Sequence, residues 1–344
     1  MKFDFAIGNP PYQDETLGDN KGFAPPVYHK FLEEAYKIAE NVEMIHPARF
    51  LFNAGSTPKK WNEKMLADPH LAVKYYEQDS SKVFANTDIK GGVAITYRDK
   101  KKNYGAIGTF TVSPELNSII KKIKQFQGTE FLSKIVGTRT AYRLTPKMHE
   151  DHPEAIGMLS KGHAYDMSTN IFERLPQIFF EQKPQDGLDY IQIAGRIGNE
   201  RVYKYIRRDY VNNVINLDKY KILLPKANGS GTLGETLSAP IIATPHMGST
   251  ETFLSIGAFE TSKEAEAALK YIKTKFARIL LGVLKTTQDI TPDKWAMVPL
   301  QDFSSNTDID WEQSISNIDQ QLYQKYGLSI AEISFIESTA KEME

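Results

Sequence analysis

The run Phe3-Asp4-Phe5-Ala6-Ile7-Gly8 stops without a spacer at Asn9-Pro10-Pro11-Tyr12. Alternating apolar residues read as a strand, and two successive prolines end it, because each fixes φ and brings no N–H to a ladder. Asn-Pro and Pro-Pro are ordinary turn formers, so a strand stop is all they require by themselves. The context is narrower. A helix pattern follows from Tyr28 to Ile38, apolar at Phe31, Leu32, Ala35 and Ile38. Strand, rigid loop and helix form the repeating unit of an α/β sheet, and such sheets bind ligands at the carboxyl ends of their strands. The loop Asn9–Tyr12 belongs at such an end.

Its residue types suit one kind of chemistry. The side-chain carbonyl of Asn9 and the backbone carbonyl of Pro10 are two acceptors on a stiff loop, held in place before any ligand arrives. The amino nitrogen of adenine is a poor nucleophile, since its lone pair is delocalised into the ring. Acceptors on both amino hydrogens favour a pyramidal nitrogen and stabilise the positive charge that grows as it is methylated. Tyr12 offers a π-face for the base. A second segment, Val83-Phe84-Ala85-Asn86-Thr87-Asp88-Ile89, leads into the buried-strand pattern Gly91-Gly92-Val93-Ala94-Ile95-Thr96-Tyr97. Rotating a base out of a duplex costs roughly a few kcal/mol, and an aromatic ring returns about 1–3 kcal/mol by stacking. Phe84 is a candidate second wall, although a lone Phe is more often core.

With these residues the chain resembles gamma-class adenine-specific DNA methyltransferases, as found in combined restriction-modification enzymes (type II, methylase plus nuclease). The segments that carry the resemblance are Ile7–Tyr12, Met44-Ile45-His46-Pro47-Ala48-Arg49-Phe50-Leu51 and Val83–Tyr97, and together they cover about residues 3–100. More loosely, Leu217-Asp218-Lys219-Tyr220-Lys221 and Val298-Pro299-Leu300-Gln301-Asp302-Phe303 resemble target-recognition regions. The resemblance implies a catalytic loop of Asn9, Pro10, Pro11 and Tyr12, with Tyr12 and Phe84 stacking on a flipped adenine. It also implies S-adenosylmethionine as donor and double-stranded DNA as substrate. In the family's usual order the glycine-rich donor loop and the acidic ribose ligand lie upstream of the Asn-Pro-Pro-Tyr motif. The expectation is therefore an incomplete donor site, finished by an upstream segment or a partner polypeptide, an isolated chain that is inactive, and a first strand with a bare edge. A reading from another class is a non-enzymatic DNA-binding specificity subunit in which the loop is vestigial.

The expected fold class is α/β: a partial doubly wound, Rossmann-like methyltransferase sheet at 1–110, a mixed α/β target-recognition domain at 111–305, and a helical acidic tail at 306–344. Strands are expected near 3–8, 42–46, 71–77 and 92–98, and helices near 28–39, 58–67 and 115–126. One long helix is expected from Ala265 to Val283 under a Ser262 cap, and a last one from Ile315 to Tyr326. At 344 residues and 41% apolar content the chain can build two cores. It has no cysteine, which excludes disulfides and cysteine-held metals. No apolar run is long enough to span a bilayer, and a cytoplasmic location is the default.

The net charge of −1 hides a polarised distribution. Lys90 to Lys147 carries twelve basic and three acidic residues, Arg196 to Lys226 eight and three, and Leu300 to Glu344 two and nine. This fits a middle that faces phosphates and a tail turned away from them; a solvated charged surface would look the same. Arg139, Arg143, Lys147, Arg196 and Lys221 are the candidate DNA contacts. Three further patterns are weak. Gly229-Ser230-Gly231-Thr232-Leu233-Gly234 matches G-x-G-x-x-G, but Pro225 to Asn228 separate it from a strand and Pro240 follows closely. Asp166, Glu181 and Lys183 have the order of a nuclease triad, and a strand would place Glu181 and Lys183 on one face. His149, His152 and His163 lack metal-ligand spacing, and no metal is expected.

Overall fold

The computed structural model describes residues 3–14, 24–89, 91–229, 231–285, 288–305 and 307–343. Lys90 and Ser230, singled out above as part of a basic stretch and of the glycine-rich stretch, lie outside them. The chain divides into two compact units, Met1–Asn117 and Ser118–Glu344.

The first unit follows the expected alternation closely: β1 (Phe3–Gly8), α1 (Tyr28–Ile38), β2 (Ala39–Pro47), α2 (Lys59–Ala67), β3 (Leu71–Glu77) and β4 (Val93–Asp99). The sheet order is β1-β2-β4-β3. Only β1 and β2 are parallel; β4 runs antiparallel to both β2 and β3. The sheet is therefore mixed, with one crossover helix, α1. Leu32, Ala35 and Tyr36 of α1 pack in core clusters with Ala6, Val42, Met44, Val73 and Ala94 from the sheet. Helix α2 adds Trp61, Met65 and Leu66 to this core. Each such buried side chain contributes about 1.5–3 kcal/mol by leaving water.

Strand alternation puts Phe3, Phe5 and Ile7 on the opposite face, and there they stay 47%, 62% and 78% exposed. In register, Ile7 lies beside Glu43, and Glu43 beside Tyr97. Among the described residues β1 pairs with β2 alone, so its outer edge is open there.

Helix α3 (Pro114–Gln125) leads from one unit into the other. The second unit opens with short helices α4 (Pro146–Asp151), α5 (Ala155–Met158) and α6 (Ile171–Arg174), followed by β5 (Tyr190–Ile197), β6 (Glu200–Arg207), β7 (Tyr220–Pro225), β8 (Ile241–Ala243), β9 (Met247–Ser249) and β10 (Phe253–Phe259). These strands form two three-stranded sheets, β10-β7-β8 and β6-β5-β9. Both units are mixed α/β.

Helix α7 (Ser262–Lys273) and helix α8 (Lys275–Leu284) replace the single long helix expected. Thr261, not Ser262, caps α7 through a capping box with Glu264. The break falls at Thr274, whose hydroxyl accepts the Ala277 N–H. The carboxylate of Asp319, from α9 (Ile315–Lys325), accepts the freed N–H groups of Lys275 and Phe276. A distant buried carboxylate thus satisfies the donors that a new helix start leaves open. A last helix, α10 (Ile330–Thr339), also begins with a capping box, Ser329 with Glu332.

The boundary expected near 110 lies at Asn117, and residues 306–344 are part of the second unit, where Ile318, Leu322, Tyr323 and Ile336 are buried. No helix among the described residues is long and apolar enough to cross a membrane.

Candidate base-binding site

The first unit gathers its loops at the carboxyl ends of its two parallel strands. Tyr12 follows β1, Pro47 ends β2 and Arg49 follows it, and Asp88 and Ile89 lead towards the antiparallel β4. With Tyr28 at the start of α1 and with Gly55 to Thr57, they line a cavity of about 360 Å³. That lies within the ~300–1,000 Å³ range of small-molecule sites.

The Asn9–Tyr12 loop is tied at its far end. The Tyr12 carbonyl accepts the Val27 N–H at 3.1 Å, and the Asp14 N–H reaches the Pro25 carbonyl at 2.9 Å. Asn9 is exposed and Pro10 buried. Among the described residues neither the Asn9 side chain nor the Pro10 carbonyl has a hydrogen-bond partner. Of the two, Asn9 is the one exposed to solvent. Asn9 does not itself line the cavity. Tyr12 does, half-buried; burial pushes its phenol up to about 12, and its buried hydroxyl has no partner among the described residues.

Phe84 sits on a loop organised by Ser80. The Ser80 hydroxyl donates to the Thr87 carbonyl and accepts the Ile89 N–H, and the Ser80 carbonyl accepts the Phe84 N–H. Thr87 closes the turn by donating to the Phe84 carbonyl at 2.7 Å, and Asn86 takes φ +61°. Phe84 is half-buried and meets Tyr12 edge to face, with ring centroids 6.3 Å apart and planes at 64°. The two aromatic residues expected at the base are thus neighbours. They touch each other rather than standing as parallel plates, so a base entering between them must separate the rings.

Two lining features were missed in the sequence. Tyr28, read only as the start of a helix, stacks on His46 with centroids 5.6 Å apart and planes at 5°. Burial pushes the Tyr28 phenol up to about 12. His46 is fully buried; its Nδ1 donates to the Pro47 carbonyl, which leaves Nε2 to accept the Thr96 hydroxyl at 2.7 Å. Burial holds the ring neutral, down to about 4 from 6.5, against the pull of the Pro47 carbonyl. The folded value lies below the unfolded one, so as pH falls through this window the unfolded chain takes up a proton that the native state refuses. The first unit is expected to keep full stability above pH 6.5 and to lose up to about 3 kcal/mol as pH approaches 4. Urea titrations across the window measure this, and a His46→Gln variant should be flat there; an unchanged slope in the variant would assign the effect elsewhere. The second missed feature is the exposed Arg49, held between Gly55 and Gly91.

The candidate DNA contacts of the second unit have separate fates. Arg139 is exposed and has no ion-pair or hydrogen-bond partner among the described residues. Arg143 is exposed but pairs with Asp166 at 3.2 Å, and Lys147 pairs with Asp151 at 2.6 Å. Arg196, near the end of β5, donates to the carbonyl and side chain of Asn199. Lys221 corrects the expectation. It is fully buried on β7, and its ammonium donates to the carbonyls of Leu217, Lys219 and Thr244 at 2.9–3.1 Å. Burial pushes its pKa down to about 7. It joins chain segments and has no surface to offer DNA.

The weak patterns resolve into structure. Asp166 pairs with Arg143 and His163, whereas Glu181 is exposed and pairs with Lys204. Glu181 lies in a bend and Lys183 outside any strand, so the nuclease-like order has no shared strand face. His149 binds the Ala164 carbonyl, His152 contacts Glu154 and Tyr210, and His163 binds Asp166. No metal-binding cluster is present among the described residues. The glycine-rich stretch is closed on itself. Glu235 turns back so tightly that a Cβ on Gly229 would meet its carboxylate, and its Oε1 accepts the Gly231 N–H. Lys285 pairs with that carboxylate and with the Asn228 carbonyl. Among the described residues of the stretch, the Gly231 amide thus faces this internal ion pair.

Residues 1–84 match the family described as Eco57I restriction-modification methylase. No curated protein matches the chain. Among solved structures, the type IIG restriction endonuclease BpuSI aligns at 9% identity and a TM-score of 0.33, over 98% of this chain and 54% of that one. The type IIL restriction-modification enzyme MmeI, solved in complex with DNA, aligns at 9% identity and a TM-score of 0.34, over 97% and 56%. The chain thus spans about half the length of both structures, 54% and 56%.

Proposed function

We propose that this chain carries the base-binding half of an adenine-specific DNA methyltransferase. The observation that bears the reading is a pair of acceptors with no hydrogen-bond partner among the described residues, the Asn9 side chain and the Pro10 carbonyl, at the carboxyl end of β1 just before Tyr12 and its cavity. The match of residues 1–84 to restriction-modification methylases supports it. An adenine amino group placed against Asn9 and Pro10 would donate both hydrogens, which frees its lone pair and stabilises the charge developing on nitrogen. Tyr12 and Phe84 would open from their edge-to-face contact to hold the ring. The second unit, with Arg139 exposed and unpaired among the described residues, would contact the flanking duplex.

The methyl group would come from S-adenosylmethionine, but the glycine-rich stretch does not fit it: the Glu235 carboxylate, paired with Lys285, crowds Gly229 and takes the Gly231 amide. A second α/β segment, adjoining this one or on a partner polypeptide, would supply that site. The open edge of β1 and its bare Phe3, Phe5 and Ile7 face are the surface such a segment would cover. An exposed apolar edge strand is otherwise an aggregation hazard.

The test has two arms. The chain alone, titrated calorimetrically with S-adenosylmethionine, is expected to give no binding heat; micromolar binding would move the donor site into this chain. The chain supplied with the polypeptide encoded beside it, labelled donor and genomic DNA is expected to yield N6-methyladenine on digestion. Label in cytosine alone, or none, overturns the adenine reading.

A further inference from the structure

Arg49 stands on the cavity wall in a cradle that only glycine permits. Gly55 and Gly91, on separate loops, both have φ near +90°, at +90° and +87°. A Cβ on Gly91 would sit 2.6 Å from Arg49 Cγ, and one on Gly55 3.1 Å from Arg49 Cβ. Side chains at these positions would be strained by the backbone and would displace the arginine stem as well. The guanidinium at the end of this held stem has no ion-pair or hydrogen-bond partner among the described residues. It is the only basic group among the described residues lining the cavity. A planar five-donor fork that is fixed at its base, unpaired and turned into a cavity is built for an oxyanion.

We infer that Arg49 binds a backbone phosphate of the nucleotide whose base enters the Tyr12 cavity, and so helps hold that nucleotide out of the duplex. The inference rests on the base-binding reading above. A base cannot reach Tyr12 without bringing its own two phosphodiesters to the cavity, and among the described residues Arg49 is the cation that lines it. Arg49 acts here as a positioning residue, remote from the reacting amino group.

The probe is a random-sequence duplex with one unpaired 2-aminopurine, a fluorescent isomer of adenine that is quenched on stacking. The full chain is expected to quench it, and Tyr12→Ala to abolish the quenching. Arg49→Gln is expected to weaken binding about tenfold, the usual worth of a charge-assisted hydrogen bond. In the unsubstituted chain, neutral methylphosphonate in place of the phosphates flanking the 2-aminopurine should weaken binding equally; in Arg49→Gln the same replacement should change nothing further. Gly91→Ala, which leaves the charge but shifts its stem, should reproduce most of the loss.

If quenching depends on Tyr12 but not on Arg49, the phosphate role is wrong and the base pocket stands. If the unsubstituted chain gives no quenching, both fall. With the donor-binding segment supplied, calorimetry with S-adenosylmethionine separates the other source of an oxyanion. Arg49→Gln should leave donor affinity unchanged, whereas loss of donor affinity with intact oligonucleotide binding would assign Arg49 to the donor carboxylate.

Discussion

Replacing Asn9 by Ala, with the donor-binding segment supplied, is expected to lower the rate of methyl transfer about 10²–10³-fold, the usual effect of removing one preorganised group from a developing charge. Duplex affinity should stay within about twofold, because a single neutral hydrogen bond contributes little net binding. The loss belongs in kcat, since the acceptor matters most when the amino nitrogen is pyramidal and positive. Asn9 makes no hydrogen bond among the described residues, so its removal should leave the fold and the melting temperature unchanged. Single-turnover assays with labelled donor measure the first effect and thermal denaturation the second. Unchanged methylation would refute the role of Asn9. No methylation by either protein, with duplex binding intact, would favour a specificity subunit that carries the loop as a relic.

The second large effect concerns stability. Lys221→Met is expected to destabilise the second unit by about 1–3 kcal/mol, because three carbonyls, that of the buried Leu217 among them, lose their common donor. Those carbonyls, of Leu217, Lys219 and Thr244, come from the chain before β7 and the connection between β8 and β9. The lysine thus adds a side-chain tie at the end of the β7–β8 ladder, where Lys221 lies opposite Ala243. Denaturant titration measures the loss. Had Lys221 contacted phosphate, its replacement would have flattened the salt dependence of DNA binding. The expected result is the reverse: a lowered unfolding midpoint with the salt slope of the folded protein unchanged.

Much of the first unit was legible because its signals are short-range. Alternation in Phe3–Gly8, the double proline and the period of α1 act within one element, and the observed β1, α1, α2 and β3 fall within a residue or two of expectation. The second unit was read less well. The helix expected across 265–283 breaks at Thr274 because Asp319, far along the chain, accepts the two amides of the new helix start. Helix α10 has a local signal that the expected elements did not include: Ser329-Ile330-Ala331-Glu332 is a capping box.

The site divides in the same way. The Asn9–Tyr12 loop could be recognised from residue types alone, since proline stiffness and an amide carbonyl are properties of the residues themselves. The partner of Tyr28, the neutrality of His46, the cradle of Arg49 and the burial of Lys221 could not. Each depends on which residues from distant segments share a few ångströms of space, and on how much water that leaves. Charge along the sequence marked Arg139 and Lys221 alike as candidates for DNA. The tertiary structure left Arg139 in solvent and turned Lys221 inward, where desolvation and three carbonyls make the same side chain a structural tie.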